Sequence, residues 1–145
     1  MFADFLRRLT APTKDVLDET DARRAIGALL VRIAKSDGHY APEEIARIDR
    51  ILANRFDLNV VEAAKLRAEC EGIEAEAPDT VRFTRAIKDA VSLDDREAIV
   101  RAMWQVVMTD GHRDQNEDAL MRMVAPLLGL TDQDSNRIRI ELSQS

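Results

Sequence analysis

Two short segments of this chain carry residue types that bind cations. Asp37-Gly38-His39 is followed by Glu44, and Asp110-Gly111-His112 is followed by Glu117 at the same spacing. Carboxylates alone suit Ca²⁺, Mg²⁺ or Mn²⁺, whereas added imidazoles shift a site toward Mn, Zn or Fe. The candidate ligands are therefore Asp37, His39, Glu44, Asp110, His112 and Glu117, holding a divalent metal ion whose identity the residue types leave open. The Asp-Gly and the later Glu coincide with the middle and final ligand positions of an EF-hand loop. The first and third loop positions, however, would be Ile33 and Lys35 in one segment and Val106 and Met108 in the other, none with a side-chain oxygen. A cation here is expected to bind weakly or by pooling ligands from both segments.

Turn chemistry accounts for many of the same residues without a ligand. Gly38 and Gly111 fit left-handed C-caps, Asp37 and Asp110 can accept from nearby backbone N–H groups, and Glu44 and Glu117 fall at the third position of the next helix, where a capping box places an acid. The two histidines are what this reading explains least, because a turn does not require imidazole. The chain shows no Gly-rich phosphate loop, nucleophile elbow or HExxH motif, so no catalytic residue and no organic cofactor site is nominated. A metal-dependent hydrolase remains a third alternative, after a cation-binding module and a purely structural interaction domain.

Helices must position these groups. Ala22, Ala25, Ile26, Leu29, Leu30, Ile33 and Ala34 recur at helical spacing, with Val31 widening the face, which predicts a central buried helix from about Asp18 to the Asp37-Gly38 stop. Pro42 opens a second helix with Ile45, Ile48, Ile51 and Leu52 inward, and Asn59 caps a third, which is expected to reach about Gly72. The acids Glu69, Glu71, Glu74, Glu76 and Asp79 read as a solvated face and connector. A fourth helix begins near Pro78 or Asp79. A fifth follows a Ser92 cap and carries Ile99, Met103, Val106 and Val107 inward, and a sixth follows Asp114. Pro126 and Gly129 close the sixth, and Thr131 caps a last helix through Ile138, Ile140 and Leu142. Cys70 reads as a small buried side chain, and Trp104 and Tyr40 as packing anchors.

Ile33, Ile48 and Ile51 recur as Val106, Met121 and Val124 at the offset that carries Asp37 to Asp110. After one deletion, Leu66 and Arg67 recur as Ile138 and Arg139. This predicts an all-α fold: a compact bundle of about seven helices with an internal duplication of a helix-turn-helix-turn-helix unit. Two such units would bury their apolar stripes on each other and could bring their acidic turns together.

The segments from Ala34 to Glu44 and from Val107 to His112, with Glu117, resemble the tellurite resistance protein B (TerB) family, related to the N-terminal helical domain of a DnaJ-like membrane co-chaperone. The resemblance spans roughly Ala22 to Leu142. It implies an all-α domain of about seven helices, a stress response to toxic oxyanions, and acidic residues proposed to bind divalent metal. The second turn departs from the first, with Arg113-Asp114-Gln115-Asn116 in place of Tyr40-Ala41-Pro42-Glu43, so a paired site need not be symmetric.

Hydrophobic residues make up 46% of the 145-residue chain and charged residues 33%, which suits one globular domain. The predicted division is an N-terminal amphipathic segment and connector, residues 1–17, and a TerB-like helical domain, residues 18–145. A net charge of -6 excludes a nucleic-acid binder, since phosphate recognition needs a basic surface. Protein partners are expected instead. Phe2, Phe5, Leu6 and Leu9 line one face beside Arg7 and Arg8; they pack on the domain or a neighbour, with weak peripheral membrane contact through residues 2–9 as the alternative. A single cysteine and the lack of a long apolar run make the expected location cytoplasmic.

Overall fold

The computed structural model describes residues 19–77, 79–109 and 115–144. Within them the chain forms seven helices and no strand: α1 (Glu19–Lys35), α2 (Pro42–Phe56), α3 (Val60–Glu76), α4 (Val81–Ala90), α5 (Leu93–Val107), α6 (Gln115–Leu127) and α7 (Asp132–Ser143). Residues 2–9, with their amphipathic pattern, and Asp110, Gly111, His112 and Asp114 lie outside the described residues. None of the described helices is long and apolar enough to cross a membrane.

Helix α1 is the axis of the bundle because it is apolar on most of its circumference. Ala25, Ala28, Leu29, Leu30, Val31, Ile33 and Ala34 have no exposed surface, and α2, α3, α4, α5 and α6 all pack on this helix. Gly27 sets its closest approach. A Cβ there would overlap the Cys70 sulfur on α3, so only glycine lets the two helices meet at this spacing. Cys70 is fully buried as read; burial pushes its thiol up to about 12, so it stays protonated and donates to the Arg24 carbonyl.

Helix starts follow the caps written in the sequence. Asn59 Oδ1 accepts from Glu62 N–H at 2.8 Å, Ser92 Oγ from Asp95 N–H at 3.4 Å and Thr131 Oγ1 from Asp134 N–H at 3.0 Å. Pro42 occupies the first turn of α2 after an extended Ala41. On the second half of the chain, Trp104 is the expected anchor, buried between α5 and α7 with its indole N–H donated to Ser135 Oγ at 3.0 Å.

Three expectations are corrected. Helix α3 does not stop near Gly72 but continues to Glu76, because Ile73 is buried and Arg32 of α1 satisfies the end of the helix, donating to the carbonyls of Glu74 at 2.9 Å and Ala77 at 3.0 Å. The acidic run is likewise not a solvated face throughout. Glu74 is buried and ion-paired with Arg32 and Lys35, Glu69 pairs with Arg24, and Glu71 with Arg67, while Glu76 and Asp79 are exposed. The acids face basic side chains on α1 and on α3 itself, partners that a local reading of charge does not supply. Ile140, expected inward on α7, is 44% exposed, since α7 packs through Ser135 and Ile138 instead.

Candidate metal centre

The corner between α1 and α2 is built from local hydrogen bonds. Gly38 N–H donates to the Lys35 carbonyl at 3.1 Å, and Gly38 adopts φ +86°, a left-handed conformation that a side chain resists. Asp37 Oδ1 accepts from His39 N–H at 2.8 Å, which folds the aspartate back over the turn. Ala41 then stands at the N-cap of α2. Its N–H donates to Glu44 Oε1 at 3.0 Å, so Glu44 completes only the returning half of a capping box, because Ala41 has no side-chain acceptor to offer in exchange.

On the far side, Glu117 lies in the first turn of α6, as Glu44 does in the first turn of α2. Helix N-termini carry partial positive charge, which favours carboxylates at both positions. Glu44 and Glu117 are each only 1% exposed, and Asp37 is half-buried. One potential ligand oxygen from each of Asp37, Glu44 and Glu117 lies within 4.8 Å of the other two. Residues from the two halves of the chain thus meet at one point, as the duplicated pattern suggested they could.

His39 is exposed and does not join this group. Asp110 and His112 lie outside the described residues, so the grouping seen is of three carboxylates. An oxygen-only donor set suits hard cations, Ca²⁺, Mg²⁺ or Mn²⁺, better than zinc, which favours nitrogen and sulfur in tetrahedral sites. A separate cleft of about 130 Å³ lies on the second half of the chain, lined by Trp104, Asp118, Arg122, Asp132 and Ser135 among others; it does not include the three acids.

One contributor to this region escaped the sequence reading. Tyr40, taken as a packing anchor, donates its hydroxyl to Glu71 Oε2 on α3 at 2.7 Å. An aromatic at the edge of a turn and an acid with helical register toward it were both visible, but only packing of α3 against α2 puts them in contact.

Residues 23–140 match the family described as tellurite resistance protein TerB. No curated protein and no solved structure matches the chain.

Proposed function

The chain belongs to the tellurite resistance protein TerB family, and we propose that it is a non-enzymatic helical interaction module of the tellurite-resistance, stress-response type that holds one divalent cation between Asp37, Glu44 and Glu117. The observation that carries the reading is the meeting of these three carboxylates, two of them almost fully buried. Moving a carboxylate out of water is costly, and placing like charges side by side adds repulsion; a divalent cation offsets both at once. Its ligands would come from the α1–α2 corner and from α6, so binding would tie the two halves of the chain together.

Interaction with protein partners is part of the proposal. Val60 and Val61, at the start of α3, are 84% and 76% exposed and adjacent, an apolar pair at the surface of the described residues. A cytoplasmic setting accords with the free thiol of Cys70.

A second reading, that the acids serve folding alone, is favoured by one observation: Glu44 Oε1 already accepts from Ala41 N–H. Thermal unfolding separates the two. Ca²⁺, Mg²⁺ or Mn²⁺ at about one hundred times its dissociation constant should add about 2.7 kcal/mol of stability to the wild-type chain. The gain should disappear in Asp37→Asn combined with Glu117→Gln. No stabilisation by any of these cations, or an equal one in the double variant, would leave the folding reading standing and remove the site.

A further inference from the structure

The Asp37 turn is built from short-range hydrogen bonds, among them Gly38 N–H to the Lys35 carbonyl and His39 N–H to Asp37 Oδ1. Nothing lies within 4 Å of the position a Cβ would take at Gly38, so packing does not pin the turn at that point. Beyond the bond from His39 N–H, the next anchor along the chain is Tyr40. Its ring packs against the edge of the core and its hydroxyl donates to Glu71 Oε2. Burial, and then the bond to Glu71, hold the pKa of this hydroxyl far above the ordinary phenol range, so it remains an O–H donor. A phenylalanine would fill the same space; the hydroxyl therefore does something that packing does not require.

Glu71 is itself fixed. Arg67, also on α3, donates to Glu71 Oε2 at 3.3 Å and to Asp49 Oδ1 of α2 at 2.9 Å. The bond to Asp49 holds the Arg67 guanidinium firmly in its protonated form. The connections run from the turn through Tyr40 to α3, and from α3 through Arg67 to α2, which carries Glu44. The strut therefore ends at Tyr40, three residues beyond Asp37, and at Asp49, on the helix that carries Glu44.

We infer that Tyr40 is a positioning residue for the cation site, its hydroxyl and Glu71 together fixing where the Asp37 carboxylate meets Glu44 and Glu117. The inference rests on the cation reading above. Loss of the hydroxyl frees the turn to move, and a coordinating carboxylate displaced by a fraction of an ångström weakens binding without unfolding the helix bundle.

The test is titration of the full chain with Mn²⁺, with free ion followed by its paramagnetic resonance signal, for wild type, Tyr40→Phe, Glu71→Gln, Glu71→Ala and the Tyr40→Phe/Glu71→Ala pair. Tyr40→Phe should weaken Mn²⁺ binding about three- to tenfold, with the melting temperature of the cation-free protein nearly unchanged. Glu71→Gln keeps an acceptor oxygen for the hydroxyl and should retain most of the affinity. Glu71→Ala should fall as far as Tyr40→Phe, and the pair no further than either alone, because both break one link. Unchanged affinity in Tyr40→Phe, or losses that add in the pair, would overturn the role of Tyr40 while leaving the site intact. A wild-type chain that takes up no Mn²⁺ would overturn the site itself and the strut with it.

Discussion

Among the described residues, buried acidic side chains fall in two places that differ in what surrounds them. Glu74, on α3, is met by Arg32 at 3.1 Å and by Lys35 at 2.7 Å, both from α1. Arg32 also reaches Thr80 Oγ1 at 3.3 Å and the two carbonyls at the end of α3, so most of its donors are satisfied in one place. Glu44 and Glu117 are buried more deeply, but their neighbours include each other and Asp37. The first region supplies its own opposite charge and so is finished by folding. The second concentrates like charge at two helix N-termini, an arrangement that becomes more favourable when a cation arrives from solution.

The contrast makes quantitative demands. The largest effect should come from Arg32→Ala, which leaves a buried carboxylate with Lys35 as its remaining ion-pair partner among the described residues and uncaps α3; urea unfolding should show a loss of about 3 kcal/mol. A loss below about 1 kcal/mol would mean that water enters readily around Glu74 and that the region is not closed.

Matched acid-to-amide changes give the sharper comparison. Glu74→Gln gives up its charge partners and should cost about 1–2 kcal/mol. Glu44→Gln retains an oxygen for the Ala41 N–H while relieving repulsion, so in the presence of a chelator it should gain about 1 kcal/mol. Opposite signs for these two variants would establish that the regions differ in kind. Equal losses would reduce the three acids to another self-sufficient folding contact.

The smallest effect is expected for Asp37→Asn. The amide oxygen still accepts from His39 N–H and the residue is half-buried, so cation-free stability should stay within about 0.5 kcal/mol of wild type. The same substitution should measurably lower the stabilisation given by Ca²⁺ or Mn²⁺. A stability loss above about 1 kcal/mol without cation would assign Asp37 to the turn and not to the site.

Much of the fold was legible because its signals act over one or two helical turns. Asn59, Ser92 and Thr131 cap the helices they were expected to cap, and the spacing of Ile26, Leu29, Leu30 and Ile33 marks the helix that lies at the centre. Charge was read less well. Glu69, Glu71 and Glu74 looked like a solvated run because their partners Arg24, Arg32 and Lys35 lie on a different helix, and Tyr40 on the α1–α2 corner. Val60 and Ile140 follow apolar patterns yet face solvent, since a helix in a small bundle has more apolar positions than neighbours to cover them.

The sequence by itself determined the helices, their caps, the Asp-Gly corner and the acids at the third position of α2 and near the start of α6, because each depends on hydrogen bonds between residues a few positions apart. Only the tertiary structure decided that Glu117 meets Asp37 and Glu44, that His39 stays outside them, and that Glu74 finds Arg32. Those outcomes depend on the angles and distances at which α1, α2, α3 and α6 pack, and packing is settled by side-chain shape summed over the whole core, as at Gly27 against Cys70, where one missing Cβ sets how near two helices come.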